Sequence, residues 1–348
     1  MVGGRSTEHD TSIHSYTHVL AQVLADTESP LAIAGVYYVN FEHGVHAHRS
    51  LPWPRSAAEL ATPVAEPLLR VVAELAQSQW PVFSLLHGTE GEDGAWQGLA
   101  EVAGLRGSFG PVLGSALAMS KFHMATIATA LAPVRMPRTA LLDDASTDAD
   151  LIRAIGMLGA RPAVVKPNSM GSSLLTGRHD PLDLMTLRRL RQKLLPYDSQ
   201  VLVQEYIRGE EYTAGCLEMG GEVIVLPVVK AVTPGGFLGH AEKHTRGLVH
   251  PELVGDNTDI AARIKGISKT LFRQCGFLGM CRFDYLVDND NELFFLEANT
   301  LPGLARGSAY TLMLSAAGYS MVDVIIACVR AASVRPQRRK LLRYEVDD

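Results

Sequence analysis

Two hydrophobic spacings divide this chain into elements: apolar residues one helical turn apart mark helices, and short apolar or alternating runs mark strands. The stretch GGRSTEHDTSIHSYTHVLAQVLA opens on a glycine turn and continues as an amphipathic helix, with Ser6 or Thr7 as its cap. LAIAGVYYV reads as a buried strand and PWPRS as a loop, while residues 57–77 have helical spacing interrupted by prolines. PVFSLLHG reads as an apolar strand that ends at His87 and Gly88 and passes through a glycine-rich turn into a helix. SALAMSKFHMATIATAL follows as a helix, and RPAVVKPNSMGSSLLTG places Lys166 on an apolar strand ahead of a loop of small residues. After a connecting helix within 179–200, residues 201–232 read as successive strands with a turn at Gly220 and Gly221. Residues 234–253, glycine-rich in front and basic in the middle, have the composition of a mobile lid.

The most informative pattern lies at 281–310, CRFDYLVDNDNELFFLEANTLPGLARGSAY. Strand-like runs at 282–287 and 292–297 flank Asp288, Asn289, Asp290 and Asn291, residues that favour a tight turn. If those residues form the loop, Val287 faces Glu292, Arg282 faces Glu297 and Asp284 faces Phe295. Alternation then puts Arg282, Asp284, Glu297 and Asn299 on one face. Diagonal neighbours on paired strands sit roughly 7–8 Å apart, so the Asp284 and Glu297 carboxylates can share an ion beside the Asn299 amide. Such hard oxygen donors suit Mg2+ bridging phosphates. A charged hairpin face is more often solvated surface, and the loop is no EF-hand, because Leu293 stands where that loop needs glycine. The continuation, Asn299-Thr300-Leu301-Pro302-Gly303 and then Ser308 opening an apolar helix-like run, tips the balance toward a site. A helix N-terminus there offers unpaired N–H groups to an anion.

At 348 residues the chain is long enough for two or three domains. Its net charge of −5 leaves no nucleic-acid footprint. The cysteines at 216, 275, 281 and 328 have neither CxxC nor disulfide-framework spacing, which fits a reducing cytosol with Cys216 and Cys281 as core residues of strands. No run reaches the roughly 18 apolar residues of a bilayer span, and MVGGRSTEHD lacks a signal-type apolar region, so a cytoplasmic protein without a membrane partner is expected. The tail RPQRRKLLRYEVDD is balanced by its acidic end and reads as a solvated terminus.

The R-x-D motif at Arg282 and the E-x-N-T-x-P-G motif at Glu297 resemble those of the D-alanine–D-alanine ligase branch of the ATP-grasp superfamily, and the resemblance extends over most of the chain. Glu8 and Ser12 fall on G-G-x-S-x-E-x-x-x-S. His87, Gly88, Gly91, Glu92, Asp93, Gly94, Gln97 and Gly98 fall on H-G-x-x-G-E-D-G-x-x-Q-G, and Lys166, Ser172 and Ser173 on K-P-x-x-x-G-S-S. Neither a Walker A signature nor a G-x-G-x-x-G fingerprint is present. The resemblance implies an α/β (α+β) three-domain ATP-grasp fold, with an N-terminal substrate-binding domain over 1–110, a central subdomain over 111–203 and a C-terminal catalytic subdomain over 204–348. It implies ATP, Mg2+ and small amino acids as ligands, an acyl-phosphate intermediate, ADP as product, and a homodimer. Glu8 and His87 would hold the first amino acid. Lys121, Lys166, Ser172 and Ser173 would meet the ATP phosphates, Gln204, Tyr206 and Ile207 the adenine, and Glu211 the ribose. Phe237 and Lys243 would come from the lid, Lys243 reaching the transferred phosphate. Asp284, Glu297 and Asn299 would hold Mg2+, Arg282 and the Gly303 N–H would steady the oxyanion, and Ser308 would take the acceptor carboxylate.

Departures from the family pattern carry further expectations. Ser120 replaces an aspartate, Met170 a common glutamate and His244 a tyrosine, and only Met1 and Val2 precede the glycines where the family has an apolar strand. After P-G the chain runs Leu304-Ala305-Arg306-Gly307-Ser308-Ala309, with Arg306 at a serine position and a small Ala309 beside the acceptor. Together with His244 these imply an acceptor larger or more acidic than D-alanine, another D- or L-amino acid or a hydroxy acid such as D-lactate, or else weak formation of the D-alanine homodimer, in a cell-wall or secondary-metabolite pathway. A non-catalytic nucleotide-binding module is the rival from another class. The intact metal ligands and Arg282 argue against it.

Overall fold

The computed structural model describes residues 1–232 and 250–334. Phe237, Lys243 and His244 lie outside the described residues. The first part of the chain forms β1 (Val2–Gly3), α1 (His9–Ala25), β2 (Val36–Val39), β3 (Gly44–His48), α2 (Ala57–Leu60), β4 (Glu66–Pro67), α3 (Leu68–Ser78) and α4 (Ala95–Ala103). Its sheet runs β1-β2-β3-β4, with β1 parallel to β2 and the other pairs antiparallel. A short first strand is present, with Val2 opposite Tyr38 and Gly3 opposite Val39. Gly3 has φ +94°, and a Cβ there would run into the Val39 carbonyl, so that position requires glycine.

One expectation is corrected here, and the expected interruption by prolines is found. Residues 81–87 do not form a regular strand: only Val82 bridges to Gly107. Serines take the groups a ladder would use, since Ser108 Oγ accepts the Ser84 N–H at 3.0 Å and Ser12 Oγ donates to the Leu85 carbonyl at 2.5 Å. The helical spacing of 57–77 splits into α2 and α3 around Pro63 and Pro67, which cannot supply helix N–H groups.

The middle of the chain forms α5 (Val112–Met119), α6 (Lys121–Leu131), β5 (Thr139–Leu142), α7 (Asp148–Leu158), β6 (Ala163–Pro167), β7 (Gly177–His179), α8 (Leu184–Leu194) and β8 (Val201–Glu205). The expected single helix over 115–131 is broken at Ser120, whose side chain accepts the His123 N–H and caps α6. The antiparallel sheet runs β5-β8-β6-β7. Leu151, Leu158, Val165, Leu187, Val201 and Val203 fill the space between it and α7 and α8, each contributing about 1.5–3 kcal/mol by burial.

The last part forms β9 (Gly209–Met219), β10 (Glu222–Val225), β11 (Val229–Val232), β12 (His250–Leu253), α9 (Asp259–Gln274), β13 (Met280–Asp288), β14 (Leu293–Asn299), α10 (Ala309–Ala316) and α11 (Met321–Val334). The sheet runs β12-β11-β9-β13-β14, with β10 also on β9. Cys216 and Cys281 face each other across β9 and β13 and are fully buried, as expected of core thiols. The β13/β14 register differs from the expected one. Val287 pairs with Leu293, and a bulge between Asp284 and Tyr285 absorbs one residue, so Asp284 lies directly opposite Glu297 and Arg282 opposite Asn299. Asp288 stays in the strand because its carboxylate takes the Asp290 and Glu292 N–H groups, which closes the turn one residue later than composition suggests.

A shared core sets the site geometry. Ile13, Tyr16, Val19 and Leu20 of α1 pack with Leu301, Leu304, Tyr310, Val324 and Cys328, so the start of α1 is held against the end of the β13/β14 hairpin. Among the described residues no single helix is long and apolar enough to cross a membrane; α10 and α11 are apolar together but meet at 100°, and most of their apolar residues lie in this core.

Candidate active site

A cleft open to solvent separates the central sheet from the C-terminal sheet. The central sheet supplies Val164 and Lys166 from β6 and Gln204 and Glu205 from β8, with Met170, Ser173 and Thr176 from the loop after β6. Opposite stand Asp284, Leu286, Phe294, Leu296 and Glu297 with Gly209 and Glu211 of β9, and Tyr206 and Ile207 lie in the segment that joins the two sheets. Apolar walls with charges gathered at one end suit a flat ring joined to an anionic chain.

The charged end is built by the hairpin. Arg282 and Asp284 are two residues apart on one face and meet in a bidentate pair, Nη2 to Oδ2 at 2.8 Å and Nε to Oδ1 at 3.1 Å. Glu297 lies 3.8 Å from Arg282 Nη2 and 3.3 Å from Lys121 Nζ, and Asn299 Nδ2 is 3.5 Å from Asp284 Oδ2. Burial opposes the Arg282 charge, but Asp284 and Glu297 more than offset it, so the guanidinium is held protonated more firmly than usual. Lys121 also donates to the Met170 carbonyl at 2.7 Å, which ties α6 to the loop after β6.

Ser172 and Ser173 both sit at positive φ, 56° and 52°, in that loop, a conformation non-glycine residues adopt at some strain. Ser172 Oγ donates to Glu8 Oε1 at 3.2 Å. A Cβ at Gly171 would come within 2.5 Å of the Glu8 carboxylate, so a side chain there would push that carboxylate aside. Burial raises the pKa of Glu8, the Ser172 hydrogen bond opposes this, and Glu297 adds to the rise. A second, smaller cavity joins Glu8, Glu92, Lys121, Gly171, Glu297 and Asn299, so the expected first-substrate glutamate and the expected metal ligands share one space.

Residues without an assigned role in the sequence reading hold this space in shape. Glu92 accepts the Gly88 N–H at 2.9 Å and the Leu301 N–H at 2.7 Å, linking the H-G loop to the N-T-L-P-G loop. Asn168 takes the Phe122 N–H at 3.0 Å and gives its own N–H groups to Ser120 at 2.8 Å and Gln200 at 2.9 Å, which locks the start of α6 and hence Lys121 to β6. Glu92 was legible as a motif position. Asn168 had no signal beyond being polar after a strand-end Lys-Pro.

His87 is placed differently from a direct substrate ligand. Burial lowers its pKa to about 4, so the ring is neutral. Nδ1 faces the Leu301 carbonyl at 2.9 Å and must donate; Nε2 then accepts from Ser15 Oγ at 3.1 Å, and Ser15 accepts the Leu304 N–H at 3.1 Å. Both ring nitrogens thus position the loop that carries Gly303. Ser308 caps α10 and donates to the Gly303 carbonyl at 2.7 Å, and a Cβ at Gly303 would meet nothing within 4 Å. Arg306 is exposed with no ion-pair partner among the described residues, and Ala309 packs against the shared core. On the expected adenine side, Tyr206 carries Arg178 over its ring at 4.2 Å.

Burial lifts the Glu92 pKa from 4.5 to about 7, with the Glu8 charge adding to the rise and the backbone N–H groups opposing it. A carboxyl raised in the folded state favours folding below its unfolded value and loses that contribution as pH rises through the folded one. The unfolding free energy is therefore expected to fall between pH 4.5 and about 7, by an amount on the order of 3 kcal/mol. Denaturant titrations should show Glu92→Gln flattening that slope; an unchanged slope would assign it to other groups.

The donor set of Asp284, Glu297 and Asn299 fits a hard divalent cation, with two carboxylates facing each other across a strand pair and an amide alongside. Among the described residues no cluster of three or more His, Cys, Asp or Glu is spaced to hold a metal alone.

The family model D-ala D-ala ligase N-terminus matches residues 1–108 and D-ala D-ala ligase C-terminus matches residues 135–330. The chain is 31% identical over 336 residues to a D-alanine–D-alanine ligase of Cupriavidus pinatubonensis, covering 96% of this chain and 91% of that protein. It is 34% identical over 258 residues to one from Desulforudis audaxviator, covering 73% and 81%. In fold it is similar to the D-alanine-D-alanine ligase from Coxiella burnetii, with TM-score 0.73, 23% identity and coverage of 95% and 93%. The same holds for the VanG D-Ala:D-Ser ligase from Enterococcus faecalis, with TM-score 0.73, 24% identity and coverage of 95% and 97%.

Proposed function

Because the chain belongs to the D-alanine–D-alanine ligase family, we propose that it is an ADP-forming ligase that uses ATP to join two small amino acids, D-alanine in both positions. The observation that carries this reading is the meeting, at one end of the cleft between the central and C-terminal sheets, of Lys121, Arg282, Asp284, Glu297 and Glu8. The cavity beside them brings Glu8, Glu92, Lys121, Glu297 and Asn299 together.

The proposed reaction needs charge compensation rather than a protein nucleophile. The first carboxylate attacks the γ-phosphorus and ADP leaves; the second amine attacks the resulting acyl phosphate, and phosphate and a proton depart. Lys121 and Lys166 pair with the ATP phosphates, and Ser172 and Ser173 close the loop over them. Glu8 takes the ammonium of the first amino acid. Arg282 and the Gly303 N–H face the oxyanion, and Ser308, once its hydroxyl turns from the Gly303 carbonyl, takes the acceptor carboxylate with the N-terminus of α10. Asp284, Glu297 and Asn299 would hold Mg2+, which when bound neutralises phosphate charge. Phe237, Lys243 and His244 belong to the same proposal from outside the described residues, and Gln204, Tyr206, Ile207 and Glu211 hold the nucleoside. We take the domains as 1–110, 111–203 and 204–348, with β8 crossing the second boundary, and the assembly as a homodimer, which light scattering would check.

Lys166 gives a direct test. It stands near the end of β6 on the cleft wall, so Lys166→Ala should raise the apparent KM for ATP by about tenfold to a hundredfold with little change in thermal midpoint. Unchanged ATP dependence would return Lys166 to a structural role.

A further inference from the structure

We infer that Thr139, which lies outside every motif, sets the base preference of the cleft by fixing which end of the Gln204 amide faces the nucleotide. This rests on the reading that ATP occupies the cleft. Gln204 pairs with Thr139 on β5 and with Val164 on β6, one strand position from Lys166 on the same face, and it is buried on the cleft wall. A side-chain amide has a donor end and an acceptor end, so a freely turning glutamine serves a 6-amino or a 6-oxo purine equally. Thr139 removes that ambiguity. Its single hydroxyl proton goes to the Pro137 carbonyl at 2.7 Å, which leaves only lone pairs toward Gln204. Thr139 Oγ1 therefore accepts from Gln204 Nε2, at 2.8 Å.

With its NH2 end committed, Gln204 presents Oε1 as the open end, and that atom has no hydrogen-bond partner among the described residues. It lies on the wall that Pro137, Tyr206 and Ile207 complete. An acceptor there is complementary to the exocyclic amine of adenine and repels the 6-oxo group of hypoxanthine or guanine. A carboxylate at position 204 would accept at both ends and need no orienting neighbour. Thr139 is thus a positioning residue made necessary by glutamine.

The experiment compares kcat/KM for ATP and for ITP, which exchanges the 6-amino group for 6-oxo without adding a 2-amino group. Wild type should prefer ATP, Thr139→Val should lower the ATP/ITP ratio by about tenfold, and Thr139→Ser should restore it. In a Gln204→Glu background the ratio should favour ATP whether or not Thr139→Val is added. An unchanged ratio in Thr139→Val overturns the inference, as does an equal fall in the Gln204→Glu background, which would mark an effect of strand packing. Wild type that releases no phosphate from ATP would instead overturn the functional reading beneath it.

Discussion

Replacing Glu297 by glutamine should lower ATP-dependent ligation by about a thousandfold while the protein keeps its fold. Glu297 is one of the two carboxylates that face each other across β13 and β14, and its oxygens lie 3.3 Å from Lys121 and 3.8 Å from Arg282. An amide of the same shape preserves packing but removes half the anionic charge available to a divalent cation. It also removes the counter-charge that keeps Lys121 and Arg282 aimed into the cleft. Steady-state phosphate release with ATP, Mg2+ and D-alanine measures the loss, and a thermal melt separates it from unfolding. Turnover like that of wild type would remove Glu297 from the metal and phosphate end of the site.

Arg282 is the second position where a large effect is expected, and here rate and stability should separate. Arg282→Ala leaves Asp284, which is 8% exposed, without its bidentate partner. Removing one member of such a buried pair costs about 3–5 kcal/mol, so that variant should lose stability as well as activity. Arg282→Lys retains a cation but not the planar fork that meets both Asp284 oxygens at 2.8 and 3.1 Å. It should melt within a few degrees of wild type and still lose about a hundredfold or more in kcat. Full activity in Arg282→Lys would show that only net charge is needed there and would undo the proposed oxyanion role.

The charged hairpin face was legible because strand alternation needs only the local sequence: Arg282, Asp284, Glu297 and Asn299 do share it. The register was not, because the bulge at Asp284 and the Asp288 side-chain bonds move the turn by a residue. The consequence favours the site, since direct opposition replaces a diagonal approach. Lys166 on its strand and the Gly-Ser loop were likewise readable from local pattern. What local pattern misses is competition for backbone groups. Serines 12, 84 and 108 dissolve an expected strand at 81–87, and Ser120 splits an expected helix by capping its second half. His87 was singled out by its motif, but its neutral ring and its bonds to Leu301 and Ser15 depend on residues far away in sequence. Thr139 and Asn168 were invisible for the same reason, each acquiring its partner only through strand pairing or helix docking.

The central claim is that this cleft drives amide formation between two amino acids, and product analysis tests it most directly. Purified protein would be incubated with ATP, Mg2+ and D-alanine, with D-serine, D-lactate, larger and acidic amino acids in parallel, and nucleotide, phosphate and product masses followed together. ADP, phosphate and D-alanyl-D-alanine are expected in equal amounts, all lost in Glu297→Gln. Nucleotide binding without phosphate release or a new amide or ester mass for any member of the panel would contradict it.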